Sequence, residues 1–333
     1  MTPTDLISQL SVIGAGAWGT ALAVVAADAG YDVVMWAREE TVVSQINEHH
    51  RNPFLPGVDL PARIRATTSM VDCASSPIIV LAIPTQFIRP TLGPNVDVVK
   101  GAVLVDVSKG VERGTHLRVS EILYDLGAQP DAYVVMSGPS HAEEVGRRIP
   151  TSVVAASSNE KAADQVQDVF CTDVFRVYTS ADVAGVEICG AMKNVIAIAA
   201  GIVDGLGMGD NTKAALITRG LAEIARLGCA LGAEKSTFYG LAGLGDLVVT
   251  CDSKHSRNRY VGEQLGLGRA LDDILAGMSA VAEGVPTTQA VMELARERGI
   301  ELPIATKVYQ IMFEGLDART ALFDLMSRPA RAE

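Results

Sequence analysis

The sequence contains few cysteines, and they are not arranged in pairs. Among its 333 residues are 5 cysteines, which lie far apart without any C-x-x-C pair: Cys73, Cys171, Cys189, Cys229 and Cys251. An odd number at wide spacing is typical of reduced thiols in a cytosolic protein and argues against a disulfide framework. The 5 histidines show no metal-ligand spacing, and the pair His49-His50 is predicted to be a solvated helix end. We therefore predict neither a disulfide scaffold nor a metal site.

Positive charge is also scarce. The 28 lysines and arginines are outnumbered by 39 aspartates and glutamates, so the formal net charge is −11 at pH 7. This balance argues against a general surface for nucleic acid or for an anionic membrane. A cation that binds an anionic ligand must therefore be placed locally.

Long hydrophobic runs and a targeting signal are missing as well. The longest apolar stretch, around Val195 to Val203, is too short to span a bilayer. The N-terminus has Asp5 where a signal peptide needs a basic region. We predict a soluble, cytoplasmic protein without a membrane span or a nucleic-acid partner.

The first half of the chain alternates β-rich and helical segments, and the length suits two domains. A helix is predicted over Trp18–Ala29, with Gly30 as its stop. Runs that are apolar on both faces suit strands of a parallel sheet covered by helices. Six such runs precede residue 180: Gln9–Ile13, Asp32–Trp36, Ile78–Ala82, Val103–Val107, Tyr133–Met136 and Ser152–Ala156. We predict an α/β Rossmann-type doubly wound sheet domain over residues 1–182.

After Ser180 the β-rich runs nearly vanish. The stretch Val183–Gly205 has the length and small-residue content of a helix that is buried on most sides. A second helix is predicted over Asn211–Leu231, with Asn211 as its N-cap. Helical spacing of apolar residues continues over Thr287–Arg298 and Ala305–Phe313. We predict an all-α substrate domain over residues 183–333.

Three glycines follow the first predicted strand at the spacing G-x-G-x-x-G. Gly14 allows a tight turn, Gly16 allows the close approach of a pyrophosphate, and Gly19 lets the following helix pack on the sheet. The N-terminus of that helix offers N–H groups and a partial positive charge to phosphates. The strand and helix around the motif favour dinucleotide binding over the alternative, a purely structural β–turn–α unit.

The choice between NAD and NADP depends on the residue that follows the second predicted strand. Arg38 stands where an acid that binds the ribose hydroxyl of NAD is expected, and an arginine there accommodates the 2′-phosphate of NADP. NADP is therefore favoured over NAD. Two alternatives stay open: Glu39 or Glu40 turns inward, or Arg38 is a solvated charge at a helix start.

Four further stretches carry residues suited to chemistry. Ser108-Lys109-Gly110 follows a strand, at the sheet edge where doubly wound proteins bind ligands. Lys193 and Asn194 lie in an apolar helix, where a lysine snorkels, pairs or faces a cleft. Asp246 ends a glycine-rich turn, and Arg257 lies in KHSRNR, which taken alone is equally typical of an exposed basic loop. Together the three cations predict a phosphate-bearing substrate, with Arg257 as a bidentate partner.

The motifs, taken in order, resemble those of one family over nearly the whole chain. They are GAGAWGTALA, LPGVDLP, IPTQ, SKGVE, GPSHAEEV, GAMKNVIAIAAGI, GLAGLGDLVVTC, SRNR and VAEGVPT. The chain resembles the NAD(P)-dependent glycerol-3-phosphate dehydrogenases of the bacterial biosynthetic type. The resemblance implies a Rossmann domain, a helical substrate domain and a homodimer. It also implies reversible reduction of dihydroxyacetone phosphate by NADPH or NADH to sn-glycerol 3-phosphate for phospholipids.

The resemblance also implies residue roles. Lys193 matches the family's proton donor and acceptor at the C2 oxygen. The implied substrate-binding residues are Lys109, Gly138, Ser140, Lys193, Asn194, Asp246, Ser256, Arg257 and Asn258. The implied cofactor-binding residues are Gly14, Gly16, Ala17, Trp18, Gly19, Arg38, Lys109, Ala142, Arg257, Val281 and Glu283. Two positions depart from the family's frequent residues: Phe54 replaces a tyrosine, and Ala17 replaces a serine.

Two other functions compete with this interpretation. The chain could belong to another two-domain group, the 3-hydroxyacid or phosphogluconate dehydrogenases, although GPSHAEEV and SRNR argue against it. It could also be a dinucleotide-binding regulator without turnover, which would leave the set Lys109, Lys193, Asp246 and Arg257 without a purpose.

Overall fold

The computed structural model describes residues 8–278 and 281–329 of the chain. The chain divides into two compact units. The first comprises the residues up to Lys109 together with Leu117–Glu187, and the second comprises Gly110–His116 and the chain from Ile188 onward. The predicted division between residues 182 and 183 stays a prediction.

The first unit is built on an eight-stranded sheet. Its strands are β1 Gln9–Ile13, β2 Asp32–Trp36, β3 Ile64–Thr67, β4 Ile78–Leu81, β5 Val103–Asp106, β6 Ala132–Ser137, β7 Thr151–Ala156 and β8 Phe175–Ser180. Their order is β3-β2-β1-β4-β5-β6-β7-β8. All neighbours are parallel except β6 and β7, which pair antiparallel. The connections change direction beside β1, and this is the place where doubly wound sheets bind ligands.

Helices cover the sheet in the first unit. They are α1 Ala17–Asp28, α2 Glu40–His49, α3 Thr85–Leu92, α4 Val119–Asp125, α5 Ala142–Gly146 and α6 Glu160–Phe170. Alternate strand residues enter different cores: Leu10 and Val12 pack in one apolar cluster, and Ile13 packs in the other. This double burial explains the continuous apolar runs in the sequence. The predicted Rossmann-type fold is confirmed.

The six predicted strands are all present, and two strands were not predicted. In β3 only Ile64 and Ala66 are buried, and in β8 only Phe175 and Val177 are buried. Both strands lie at the sheet edges, where one face is solvated and the apolar run is interrupted. The prediction for His49-His50 is confirmed, since α2 ends at His49 and both side chains are exposed.

The second unit is mostly helical, and besides its α-helices it contains a 3-10 turn at Lys235–Tyr239 and a π-helical turn at Leu241–Gly245. Its helices are α7 Val183–Gly205, α8 Asp210–Ala230, α9 Asp246–Asp252, α10 Arg257–Gly266, α11 Leu271–Ala276, α12 Gly284–Arg298, α13 Pro303–Phe313 and α14 Ala318–Met326. The first residues of α7, up to Glu187, belong to the first unit. Among the described residues, α7 is the one helix that is long and apolar enough to cross a membrane, and its apolar window is 100% buried. It is a buried core helix.

The predicted N-cap of α8 is wrong. The helix starts at Asp210, and Gly209 rather than Asn211 occupies the N-cap position in extended conformation. Asp210 thereby places a carboxylate in the first turn, where it favours the positive end of the helix dipole.

Glycines allow α10 to approach α7 closely. A Cβ atom at Gly262 would collide with the backbone carbonyl oxygen of Ile198, and one at Gly201 would collide with that of Arg259. Because backbone atoms cannot move aside cheaply, only glycine fits these positions. The close crossing brings the start of α10 to the middle of α7, where several predicted site residues lie.

Candidate active site

The glycine-rich turn between β1 and α1 has the geometry that its spacing predicts. Gly14 has a φ of +117°, and a Cβ atom there would lie 2.5 Å from the carbonyl oxygen of Ala82. A Cβ atom at Gly19 would collide with the carbonyl oxygen of Gly14. At Gly16, in contrast, a Cβ atom would meet no described atom within 4 Å. Two glycines thus close the turn, and the third leaves space above it.

Asn52, which the sequence did not point to, anchors this turn. Its amide Nδ2 donates to the carbonyl oxygen of Ala15 at 2.9 Å and lies 2.7 Å from Oγ1 of Thr20. Its Oδ1 accepts the backbone N–H of Phe54 at 2.9 Å. The only signal for Asn52 was its place before a proline in NPFLPG. The exposed ring of Phe54 follows it.

The residues at this turn fit a dinucleotide. Within the described residues, no side chain caps the N-terminus of α1, so its first N–H groups are available to an anion. Ala17 begins that helix. The indole N–H of Trp18 is buried and has no hydrogen-bond partner among the described residues. The space at Gly16 and the uncapped helix start suit a pyrophosphate.

Arg38 follows β2 and is the predicted contact to the adenosine end. Its side chain is 80% exposed. Its Nε donates to Oε1 of Glu39 at 2.9 Å. This exposed pair leaves the guanidinium at the end of the strand, accessible to a ligand.

Two further loops follow the carboxyl ends of parallel strands in the same sheet. Ser108 and Lys109 come after β5, and we name these two residues the Ser108–Lys109 turn; the backbone N–H of Ser108 donates to Oδ1 of Asp106 at 2.9 Å. After β6, Gly138 has a φ of +155°, and Oγ of Ser140 donates to its carbonyl oxygen at 2.8 Å. Ala142 begins α5. Because β1, β4, β5 and β6 are parallel, these loops and the glycine-rich turn share one sheet edge.

In the second unit, Lys193 and Asp246 form a buried pair. Lys193 lies in the middle of α7 and is 5% exposed, and Asp246 begins α9 and is 1% exposed. Nζ of Lys193 contacts Oδ1 of Asp246 and lies 3.0 Å from Oγ1 of Thr250. The carboxylate compensates the charge of the buried ammonium group, so the lysine is paired rather than snorkelling.

Thr250 was not predicted. It lies one helical turn after Asp246, and its hydroxyl donates to the carbonyl oxygen of Asp246 at 2.6 Å. An i, i+4 position on α9 could have pointed to it. Burial raises the pKa of the neighbouring Cys251 to about 12, so this cysteine is a neutral thiol at neutral pH.

A chain of buried amides lies beside this pair. Nδ2 of Asn258 donates to Oδ1 of Asn194 at 2.9 Å, and Oδ1 of Asn258 accepts the backbone N–H of Gly284 at 2.9 Å. Nδ2 of Asn194 donates to the carbonyl oxygen of Gly190 at 3.3 Å. The amide of Asn258 is thus used to join α7, α10 and α12.

The remaining predicted residues lie at the starts of α10 and α12. Ser256 is the buried N-cap of α10, and its side chain accepts the backbone N–H of Arg259. The exposed side chain of Arg257 donates from Nη1 to the carbonyl oxygen of Val281 at 3.0 Å. Glu283 is the N-cap residue of α12. The guanidinium is thereby held at the helix start.

The predicted residues therefore form two groups, one in each unit. The first unit brings the glycine-rich turn, Arg38, the Ser108–Lys109 turn and the Gly138 loop to one sheet edge. The second unit brings Lys193, Asn194, Asp246 and the start of α10 together. Within residues 8–278 and 281–329, no group of three or more His, Cys, Asp or Glu side chains could hold a metal ion. All five cysteines, which lie in these ranges, are free thiols.

Comparison with known proteins identifies the family. Residues 9–163 match the family description "NAD-dependent glycerol-3-phosphate dehydrogenase N-terminus", and residues 182–323 match "NAD-dependent glycerol-3-phosphate dehydrogenase C-terminus". Glycerol-3-phosphate dehydrogenase (NAD(P)+) of Chlorobium limicola is 49% identical over 330 residues, which cover 98% of this chain and 99% of that protein.

Two further relatives agree with this assignment. The enzyme of the same name from Bacillus subtilis is 50% identical over 328 residues, or 97% of this chain and 95% of the relative. The crystal structure of glycerol-3-phosphate dehydrogenase from Coxiella burnetii superposes with a TM-score of 0.92 at 35% identity and covers 97% of this chain and 99% of that chain. The chain therefore belongs to the NAD-dependent glycerol-3-phosphate dehydrogenase family.

Proposed function

We propose that the protein catalyses the reversible reduction of dihydroxyacetone phosphate to sn-glycerol 3-phosphate with NAD(P)H. The observation that carries this proposal is the buried pair of Lys193 and Asp246, beside the start of α10 with its arginine. An amine with a fixed carboxylate partner suits proton transfer to a carbonyl oxygen. The family to which the chain belongs and the names of its relatives support the substrate.

In this proposal the sheet edge of the first unit holds the cofactor. The N–H groups at the start of α1 and the space at Gly16 receive the pyrophosphate, and Trp18 contacts the same end. Ala17 and Gly19 complete this contact surface, and Arg38 receives the adenosine end. The rest of the cofactor is lined by Ala142, Val281, Glu283 and part of Arg257. When bound in its reduced form, the nicotinamide would supply a hydride to C2 of the substrate.

Lys193 supplies the proton in this reaction. Its ammonium group stabilises the negative charge that develops on the C2 oxygen and then gives up a proton to it. Asp246 and Thr250 hold Nζ in place through the contacts described above. In the reverse direction the neutral amine takes the proton from the C2 hydroxyl. Asp246 and Asn194 also orient the substrate.

The phosphate end of the substrate is assigned to the start of α10. The Asn258 side chain is bonded to Asn194 and Gly284, and its backbone N–H in the first turn of α10 is assigned to the phosphate. That group and the guanidinium of Arg257 form an anion-binding pair with the dipole of a ten-residue helix. Ser256 holds the helix start, and Lys109, Gly138 and Ser140 contact the substrate from the first unit.

Four finer features belong to the same proposal. NADPH is the favoured cofactor because Arg38 suits a 2′-phosphate. The protein is a homodimer in the cytoplasm, and its product supplies the backbone of phospholipids. Sedimentation of the purified protein tests the dimer, since a monomer mass over the working concentration range would contradict it.

A substrate panel with product identification tests the reaction. Purified protein and NADPH are incubated with dihydroxyacetone phosphate, with 2-oxo acids and with 3-oxo acids. We expect nicotinamide oxidation with dihydroxyacetone phosphate alone and sn-glycerol 3-phosphate as the single enantiomer formed. Oxidation with the oxo acids, and none with dihydroxyacetone phosphate, would contradict the proposal.

A further inference from the structure

A buried network of ionisable groups in the first unit has no part in the proposed chemistry. It joins the end of β5, the start of β6, the start of α4 and the first residues of α7 through Asp106, Tyr133, Arg118 and Glu187. Asp106 is 0% exposed and Glu187 is 6% exposed. Asp106 also accepts the backbone N–H of Ser108, so the network touches the Ser108–Lys109 turn.

Glu187 is the ionised carboxyl group of this network, and Arg118 is its cationic partner. It accepts from Nη1 of Arg118 at 2.7 Å and from the backbone N–H and the hydroxyl of Ser120 at 2.7 Å and 2.8 Å. Burial raises the pKa of Glu187, and Arg118 and these hydrogen bonds oppose the rise. A guanidinium and several donors on one carboxylate stabilise its ionised form. Glu121 in turn binds Nη2 of Arg118 at 2.8 Å.

The hydroxyl of Tyr133 contacts both carboxyl groups. Its oxygen lies 2.9 Å from Oδ2 of Asp106 and 2.9 Å from Oε1 of Glu187. A phenol has one proton to donate, so it cannot donate to two carboxylates at once. Burial also holds the pKa of Tyr133 well above its ordinary value, which excludes a phenolate at neutral pH.

The phenol supplies one proton for two contacts to carboxyl groups, so one further proton is required. The geometry shows which group holds it. Apart from Tyr133, Glu187 already accepts from three donors and Asp106 from one, so the extra proton lies on Oδ2 of Asp106. That carboxylic acid donates to Tyr133, and Tyr133 donates to Glu187. Oδ1 of Asp106 then serves as the carbonyl acceptor for Ser108, at 2.9 Å. Burial, with the charge of Glu187 adding to it, raises the pKa of Asp106 to about 7, although the hydrogen bonds from Ser108 and Tyr133 oppose this rise.

We propose that Asp106 is a positioning residue that, as a neutral acid bonded to Tyr133, fixes the Ser108–Lys109 turn for substrate binding. The inference rests on the proposed function, in which Lys109 contacts the substrate. When Asp106 loses this proton, two carboxylates face one hydroxyl that can donate to only one of them. One carboxylate must therefore turn away from Tyr133. Glu187 keeps three other donors and Asp106 keeps only the backbone N–H of Ser108. Asp106 is therefore the group that turns, and the Ser108–Lys109 turn, which stays bonded to it, leaves the position suited to the substrate.

Two substitutions, Asp106→Asn and Asp106→Ala, separate the effect of the titrating proton on Asp106 from the effect of its hydrogen bonds to Ser108 and Tyr133. An asparagine keeps the acceptor for Ser108 and a donor for Tyr133, yet it does not titrate; an alanine keeps neither. Glu223→Gln is the matched control in the second unit: burial raises the pKa of Glu223 to about 7, despite bonds from the backbone N–H groups of Ile304 and Ala305. The KM for dihydroxyacetone phosphate is measured for each protein from about pH 6 to about pH 8.

We expect the ratio of the wild-type KM to the Asp106→Asn KM to rise roughly tenfold over this range, which corresponds to one pKa unit of coupling. Titration of the substrate phosphate cancels in this ratio. The ratio of wild type to Glu223→Gln stays constant, and Asp106→Ala has a raised KM at every pH. Parallel KM profiles of wild type and Asp106→Asn would overturn the proposal.

An infrared measurement on the ligand-free protein tests the proton without turnover. The difference spectrum of wild type minus Asp106→Asn is expected to contain the C=O stretch of a neutral carboxylic acid, which fades as the pH passes about 7. Absence of this band at about pH 6 would overturn the placement of the proton. If the band titrates but the protein does not turn over dihydroxyacetone phosphate, the proposed function is refuted. The assignment of the proton to Asp106 then still stands.

Discussion

The two units build their candidate ligand-binding groups in opposite ways. At the sheet edge of the first unit, the site is formed mainly by the backbone. Two glycines close a turn, a third leaves space above it, and no described side chain caps the start of α1. In the second unit, side chains far apart in sequence meet in a buried cluster around Lys193 and Asp246. The first arrangement suits the binding of a large charged ligand, and the second suits a reaction at one atom. Substitutions should therefore separate binding from chemistry.

The largest effect is expected for Lys193→Ala. Loss of the proton donor should lower kcat by roughly 10²- to 10⁴-fold, the usual contribution of a general acid. The affinity for NADPH, measured by fluorescence titration, should change little because the proposal assigns the pyrophosphate and adenosine contacts to the first unit. A kcat near that of wild type would remove Lys193 from the mechanism.

Gly16→Val should produce the reverse pattern. The side chain has room in the protein, yet it fills the space assigned to the pyrophosphate and displaces hydrogen bonds worth about 1.5–3 kcal/mol each. The dissociation constant for NADPH should rise roughly 100-fold, or about 2.8 kcal/mol, which corresponds to the loss of one to two such bonds.

Gly209→Val is the matched control for this substitution. Gly209 is also an N-cap glycine in extended conformation, and a Cβ atom there meets no described atom within 4 Å. Its variant should bind NADPH like wild type. Equal affinities of the two variants would contradict the assignment of the pyrophosphate to the space at Gly16.

Gly262→Ala tests whether the close crossing of α7 and α10 holds the second cluster together. The added methyl group collides with the carbonyl oxygen of Ile198, and overpacking of this kind costs about 1–3 kcal/mol. The melting temperature should fall, and the KM for dihydroxyacetone phosphate should rise because Asn258 is displaced. A variant as stable as wild type would show that the helices adjust without cost.

The smallest effect is expected for Arg38→Ala. If the guanidinium binds the 2′-phosphate, its loss removes one charge-assisted contact of about 1.5 kcal/mol. The ratio of kcat/KM with NADPH to that with NADH should fall about tenfold. An unchanged ratio would make Arg38 a solvated charge and remove the reason to favour NADP.

The difference between the two units also explains what the sequence could predict. Strands buried on both faces and the glycine spacing are local signals, so β1, β2 and the turn at Gly14 could be predicted in advance. The long apolar stretch of α7 was equally plain. The edge strands β3 and β8 were missed because one face of each is solvated and interrupts the apolar run.

Contacts between distant residues could not be predicted in the same way. Asn52 fixes the glycine-rich turn from 37 residues away, and Lys193 meets Asp246 across 53 residues. Resemblance to a family pointed to Lys193 and Asp246, but not to Asn52 or Thr250. The predicted N-cap of α8 lay two residues too late because Gly209 and Asp210 compete with Asn211 for the same end of the helix.

The most direct test of the account is a comparison of a phosphorylated and an unphosphorylated substrate. Oxidation of NADPH is followed with dihydroxyacetone phosphate and with dihydroxyacetone, in wild type and in Arg257→Ala. The account predicts that wild type strongly prefers the phosphorylated ketone in kcat/KM and that Arg257→Ala loses most of this preference through a raised KM. Equal rates with both ketones in wild type would contradict the claim that this site reduces a ketone held by its phosphate.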